Sequence, residues 1–156
     1  YRLLFSAHGL PEKLVRQGDP YQQHIELSAQ AIADQLGNPD FVVCYQSKVG
    51  PLKWLTPSTD AEIRRAGREE VGVVVVPISF VSEHSETLVE LDMQYQALAN
   101  TEKVPFYCRI PTVSTHTLFI NGLGQMIKSH QEKLASGCFE FKCDPQFINC
   151  ICRRPS

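Results

Sequence analysis

The sequence predicts a doubly wound α/β domain, flavodoxin-like or Rossmann-like, with a mostly parallel sheet of about four strands. Two observations predict this fold: short, near-continuous apolar runs recur along the chain, and a segment with amphipathic helical spacing follows each one. Strands of this kind, alternating with helices, are typical of a parallel sheet covered on both faces. Ligands of such sheets bind beyond the carboxyl ends of the strands, so we expect the functional residues in the segments that follow the strands.

The first strand–helix unit occupies the beginning of the chain. An apolar strand over residues 3–7 leads into a loop that contains His8. Asp19 can cap the next helix and Pro20 suits its first position. Apolar side chains then recur at helical spacing until Gly37 ends the helix.

Three further units repeat the same order of strand, loop and helix. The predicted strands cover residues 41–45, 73–78 and 104–108, and the helices that follow them cover residues 58–68, 82–98 and 114–135. Gly137 ends the last helix. We therefore expect a folded region over residues 1–136 and a separate cysteine-rich tail over residues 137–156.

Length, composition and charge exclude several classes of protein. The 156 residues, 43% hydrophobic and 21% charged, match one globular domain. A chain of this length can bury roughly 70% of its unfolded surface, so folding requires neither a disulfide nor a metal. The net charge of -2 gives no basic field, so nucleic acid is not an expected partner.

The ends and the apolar runs of the chain bear on its location. It starts on a strand, without an initiator Met or a secretory signal segment. The longest apolar run, residues 71–81, contains Gly72, Pro77 and Ser79 and is too short to span a bilayer. These features predict a cytoplasmic fragment of a longer protein.

Acidic residues follow the third strand. If the helix begins near Ser82, then Glu83, Glu86 and Glu90 lie within about 60° of one another on one face. One interpretation is a solvated acidic first turn, stabilised by the helix dipole. The other is a row of carboxylates that accepts protons or escorts a divalent cation.

His8 follows the first strand, at the same predicted edge of the sheet as His84 and Glu86. A lone histidine is more often a hydrogen-bonded structural residue. Its position beside a second histidine and a glutamate favours a base near neutral pH or a metal ligand.

The loop after the second strand is apolar and contains Trp54, the only tryptophan. An exposed apolar patch at the ligand edge is unusual unless a flat apolar ligand covers it. Alternatively, the loop folds Trp54 back into the core, and the sequence leaves both interpretations open.

Four motifs occur in order within about the first 100 residues. They are Ser6-Ala7-His8-Gly9-Leu10-Pro11; Arg16-Gln17-Gly18-Asp19-Pro20-Tyr21; Tyr45-Gln46-Ser47-Lys48-Val49-Gly50-Pro51 with Trp54-Leu55; and Val76-Pro77-Ile78-Ser79-Phe80 with His84-Ser85-Glu86-Thr87-Leu88. Together they resemble the C-terminal half of bacterial ferrochelatases of the protoporphyrin type. Each motif is weak alone, but the ordered set is specific, and beyond residue 100 only the helix and tail pattern corresponds.

The resemblance implies a fold of two Rossmann-like halves with porphyrin in the cleft between them. It implies insertion of Fe²⁺ into protoporphyrin IX to form protohaem, with release of two protons. The missing N-terminal half would then be a partner of this chain, and the fragment would be inactive alone. A peripheral contact with the inner membrane and a homo-oligomer are further expectations.

The resemblance also implies roles for individual residues. His8 corresponds to the proposed pyrrole proton acceptor or metal ligand, Glu86 to its carboxylate partner, and His84 to a residue that supports the site. The remaining assignments are Glu83 and Glu90 to the acidic path of the metal, and Trp54 and Phe80 to porphyrin contact. Glu83 departs from the family pattern, since an aspartate is often found there.

The tail contains Cys138 and the group Cys143, Cys150 and Cys152. Clustered thiolates suit Zn²⁺ or an iron–sulfur cluster, whereas a Cys143–Cys150 disulfide or free thiols are the plain alternatives. The spacing resembles the three-cysteine tail of bacterial ferrochelatases that carry a [2Fe–2S] cluster. In those proteins the fourth ligand comes from the other half.

Other functions compete with insertion of iron. The chain could be a module that binds tetrapyrrole or metal without insertion, or a chelatase for coproporphyrin or for cobalt. A nucleotide-binding flavodoxin-like domain is a third candidate, but no Gly-rich phosphate loop follows the first strand.

Overall fold

A four-stranded, all-parallel sheet organises residues 1–112 in the computed structural model, which describes residues 1–136. Its strands are β1 (Arg2–His8), β2 (Phe41–Gln46), β3 (Val73–Val76) and β4 (Tyr107–Arg109). They lie in the order β2-β1-β3-β4, and every pairing is parallel. The predicted doubly wound α/β fold is therefore confirmed.

Helices connect the strands. They are α1 (Glu12–Arg16), α2 (Tyr21–Gln35), α3 (Thr59–Arg68), a π-helix (Glu86–Tyr95) and α4 (Gln96–Thr101). Beyond residue 112 the chain forms a second unit, in which α5 (Thr117–Ala135) is described. Within residues 1–136, no helix is both long and apolar enough to cross a membrane.

Apolar side chains of β1 pack against helices on both faces of the sheet, because β1 lies between two other strands. Leu4 belongs to the cluster that includes Ile63 of α3, Leu91 of the π-helix and Ala99 of α4. On the other face, residues of β1 pack with Ile25 and Ala29 of α2. The near-continuous apolar composition of this strand follows from burial on both sides.

The segment after β3 departs from the predicted helix over residues 82–98. The strand ends at Val76, because Pro77 has no N–H for a further ladder bond. The helix begins at Glu86 rather than near Ser82, and its first ten residues form a π-helix. Helices of this type are rare and occur frequently at functional sites.

The predicted boundary between residues 136 and 137 stays a prediction. The tail, with its four cysteines, lies outside the described residues.

Candidate active site

His8 and Glu86 meet at the carboxyl edge of the sheet. His8 is the last residue of β1 and Glu86 is the first residue of the π-helix. Nδ1 of His8 lies 2.9 Å from Oε2 of Glu86, and 44% and 36% of the two side chains are exposed. Two residues that are 78 positions apart thus form one hydrogen-bonded pair that solvent or a ligand can reach.

The backbone of His8 is held on both sides. Its N–H donates to Oγ of Ser79 at 2.9 Å, and its carbonyl accepts from the Tyr21 hydroxyl at 2.9 Å. Burial raises the pKa of Tyr21, so this hydroxyl remains protonated as a donor at neutral pH. Because a carboxylate accepts hydrogen bonds, Nδ1–H is the donor to Glu86, and in the neutral ring the second nitrogen, Nε2, offers its lone pair to a ligand.

His84 caps the beginning of the π-helix. Its Nδ1 accepts the Glu86 N–H at 3.1 Å, and its own N–H donates to Oγ1 of Thr87 at 3.0 Å. The ring also packs edge-on against Phe80, with the ring centroids 5.0 Å apart. His84 therefore helps to fix the position of Glu86, which lies two residues later in the chain. Phe80, which contacts the His84 ring, is buried.

Glu83 lies outside the π-helix, so the expectation that three carboxylates share one helical face was wrong for this residue. Nη1 of Arg109 donates to both of its carboxylate oxygens, at 2.9 and 3.1 Å, and the Thr112 N–H donates at 2.9 Å. Partial burial acts to raise the pKa of this carboxyl, but hydrogen bonds from Thr87, Thr112 and Arg109 lower it to about 2. These bonds draw residue 83 toward β4 and away from the helix.

Glu90 lies four residues after Glu86 on the π-helix and contacts the end of β2. Its carboxylate accepts hydrogen bonds from Gln46, Ser47 and Tyr95. Glu86 and Glu90 thus belong to one helix but have different hydrogen-bond partners.

Sequence reasoning missed Gln46 and Arg109. Gln46 is 1% exposed; it accepts from Ser6 Oγ at 2.7 Å and donates to the Glu86 carbonyl at 2.9 Å. Arg109 donates from Nε and Nη2 to Asp92 at 2.5 and 2.6 Å, in addition to its bonds with Glu83. Each is a polar residue at the last position of a strand, and that position could have identified both.

Trp54 packs on the loop after β1. A Cβ atom at Gly9 would lie 3.2 Å from Cε3 of Trp54 and 2.7 Å from the Gln46 carbonyl oxygen, so a residue without a side chain suits this contact. Trp54 is half-buried, whereas Val49 and Leu52 of the same loop are exposed. The loop therefore partly folds back and partly presents an apolar surface.

Within residues 1–136 no group of three or more His, Cys, Asp or Glu side chains has the arrangement of a metal site. Cys143, Cys150 and Cys152, predicted to hold a cluster, lie outside these residues.

Two comparisons of sequence indicate the same family. The family model described as Ferrochelatase matches residues 1–131. The chain is 49% identical to a ferrochelatase of Caulobacter vibrioides (strain NA1000 / CB15N) over 157 residues, which are 97% of this chain and 45% of that protein. It is 43% identical to one of Rickettsia conorii over 163 residues, which are 100% of this chain and 47% of that protein.

The chain therefore spans less than half the length of these curated relatives. Among solved structures, a cobalamin (vitamin B12) biosynthesis CbiX protein from Marinobacter aquaeolei VT8 matches with a TM-score of 0.61 and 16% identity. The match covers 85% of this chain and 98% of that one. At this identity it indicates a shared fold.

Proposed function

This chain belongs to the ferrochelatase family, and on that premise we propose that it forms one half of an enzyme that inserts Fe²⁺ into protoporphyrin IX. The observation that carries the proposal is the hydrogen-bonded pair of His8 and Glu86 at the ligand-binding edge of the sheet. The part of the relatives that this chain does not match, expected to be an N-terminal half, would supply the opposite wall of the cleft.

Proton removal is the step for which the pair is suited. Insertion replaces two pyrrole N–H bonds by bonds to iron and releases two protons. Nε2 of His8 can accept a pyrrole proton while Nδ1–H remains bonded to Glu86, whose negative charge stabilises the imidazolium that forms. Because both side chains are partly exposed, the protons can then pass to water.

Delivery of the cation requires an oxygen or nitrogen ligand near the same pair. Fe²⁺ accepts carboxylate and imidazole ligands, so the proposed contacts of the substrate metal are Glu86 and, as the alternative to its role as base, the neutral ring of His8. Trp54 is the proposed apolar contact of the macrocycle. Phe80 is buried against the ring of His84. We therefore propose that Phe80 acts on the porphyrin indirectly, by supporting the His84 ring.

The His8→Ala variant tests this function in a protein that contains this chain and the remaining half. We expect insertion of Fe²⁺ or Zn²⁺ into protoporphyrin IX to fall by about 1000-fold or more, because the base is lost, while the melting temperature stays unchanged. A continuous fluorescence assay measures insertion. His24→Ala, at an exposed position of α2, is the matched control and should retain activity.

Near-normal turnover of His8→Ala would refute the assigned role. Porphyrin binding without turnover in the unaltered protein would instead favour a module that only binds tetrapyrrole. Running coproporphyrin III and Co²⁺ in the same assay identifies the preferred substrates.

We further propose that Cys143, Cys150 and Cys152 hold a [2Fe–2S] cluster. Support comes from the donor set, since three thiolates suit iron–sulfur ligation and a fourth ligand could come from the other half. The cluster would have a structural or regulatory role. Iron analysis and visible absorption of the anaerobically purified protein check this assignment.

A cytoplasmic location, a peripheral contact with the inner membrane and a homo-oligomer also stay predictions. The apolar character of porphyrin supports the membrane contact, because the product must reach other proteins without free passage through water.

A further inference from the structure

The carboxylate of Glu90 is occupied by protein donors. Oε1 accepts the Ser47 N–H and the Tyr95 hydroxyl, both at 2.8 Å. Oε2 accepts the Ser47 hydroxyl at 2.5 Å and Nε2 of Gln46 at 3.1 Å. A carboxylate offers about four lone-pair positions, so these four bonds leave none for a cation.

Ser47, the residue that makes the shortest hydrogen bond to Glu90, has an unusual backbone conformation. Ser47 has a φ of 62°, in the left-handed region that residues other than glycine rarely adopt. Glu90 accepts both the N–H and the hydroxyl of this residue, and such a conformation persists only where its surroundings hold it. Ser47 begins the loop that carries Trp54.

Tyr95 supports the same arrangement from within the π-helix. Its hydroxyl is a donor to Glu90, and burial followed by the charge of Glu90 raises its pKa, so it stays protonated. By contrast, the Glu86 carboxylate accepts one hydrogen bond within residues 1–136, from His8, and its other oxygen is available.

We propose that Glu90 is a positioning residue that holds the Ser47 loop against the π-helix, and that it does not bind the metal. This inference rests on the proposed function, and it replaces the cation-binding role expected for Glu90 from the family resemblance. Of the two glutamates, Glu86 and Glu90, only Glu86 then contacts the substrate. The loop held by Glu90 sets the position of Trp54 relative to His8.

Steady-state kinetics of two variants test the proposal in a protein that contains this chain and the remaining half. Glu90→Gln removes the charge of the carboxylate, and Tyr95→Phe removes one of its donors while the charge stays. A positioning role predicts that kcat falls in both, by about 10-fold and about 3-fold, with the KM for Zn²⁺ within about 2-fold of its original value.

A cation-binding role predicts a different pattern. Glu90→Gln would raise the KM for Zn²⁺ by about 10-fold, and Tyr95→Phe, which frees a lone pair, would leave kcat unchanged. That result overturns the proposal.

Limited trypsin digestion provides a second measurement that does not depend on insertion. Lys48 is exposed beside Ser47, and Lys103 is exposed outside the loop. We expect Glu90→Gln to increase cleavage after Lys48 by about 5-fold relative to cleavage after Lys103, because the loop is released. An unchanged ratio overturns the proposal.

The two measurements separate this inference from the proposed function. Absence of insertion by the unaltered protein would refute the chelatase function, whereas the cleavage ratio would still decide whether Glu90 holds the loop.

Discussion

Individual carboxylates near the candidate site differ in their partners. Glu86 bonds to an imidazole, Glu83 to a guanidinium and a backbone N–H, and Glu90 to hydroxyl, amide and backbone donors. Charge-assisted bonds to arginine are among the stronger ones, and a saturated carboxylate has little affinity left for a substrate ion. Three residues of one chemical type, within eight positions of one another, therefore have different partners.

Glu83 makes the stability of the protein depend on pH in the acidic range. Its pKa of about 2 lies below the ordinary value of 4.5, so its contribution is complete above about pH 5 and is lost as the pH falls toward 2. We expect Glu83→Gln to cost roughly 1 kcal/mol at pH 7, after allowance for its partial exposure, and progressively less below pH 5.

Thermal unfolding of both proteins at several pH values between 7 and 3 measures this difference. Glu132→Gln, at an exposed position of α5, is the control and should show no such trend. A difference that stays constant with pH would contradict the assignment of Glu83 as the titrating group.

Among the elements, β4 and the π-helix depend on one another through Arg109. This residue ends β4, contacts Asp92 within the π-helix, and contacts Glu83 before it. Only 9% of its side chain is exposed, so its charge is compensated mainly by these two carboxylates. Three residues of separate segments therefore fix the course of the chain around His84 and Glu86.

Arg109→Gln should disturb both stability and activity. Removal of Arg109 leaves the Glu83 and Asp92 carboxylates without their main donor, and because about a third of each side chain is exposed to water we expect a cost of about 1–3 kcal/mol. We expect a lower melting temperature and a kcat reduced by about 10-fold, since Glu86 loses its fixed position.

Calorimetry and the insertion assay check these effects. Arg109→Lys should recover little, because an ammonium cannot reproduce the bidentate contact with Asp92 together with the contact to Glu83. Arg68→Gln, at an exposed position at the end of α3, is the control and should be neutral. Full activity of Arg109→Gln would show that β4 does not help to place Glu86.

At the scale of the whole molecule, the proposed function makes residues 1–112 one wall of a cleft that a second half would complete. The candidate residues lie at a single edge of a single sheet, and the chain spans less than half the length of its relatives. A macrocycle bound to one wall remains exposed to water, which weakens both binding and the electrostatic effect of His8 and Glu86.

This chain by itself should therefore insert metal at least about 100-fold more slowly than a protein that also contains the remaining half. The insertion assay on both proteins, at equal concentration and with porphyrin binding measured in parallel, makes the comparison. Equal rates would mean that one wall suffices or that two copies of this chain form the cleft.

The sequence alone predicted the order of strands and helices, the parallel sheet and the edge at which His8 and Glu86 meet. These features follow from the spacing of apolar residues, which is a local property of the chain, and from the rule that parallel strands place their carboxyl ends together. The ordered motifs indicated the family, and the comparisons confirmed it.

Only the tertiary structure decided which carboxylate has which partner. Glu83, before the π-helix, is bonded to Arg109, which is 26 positions away, and Glu90 is bonded to Ser47, which is 43 positions away. Helical periodicity describes neighbours three or four positions apart and contains no information about such contacts. The physical reason is that side-chain hydrogen bonds form between segments that only the packed sheet brings together, and these bonds outweigh the helix expected from local spacing.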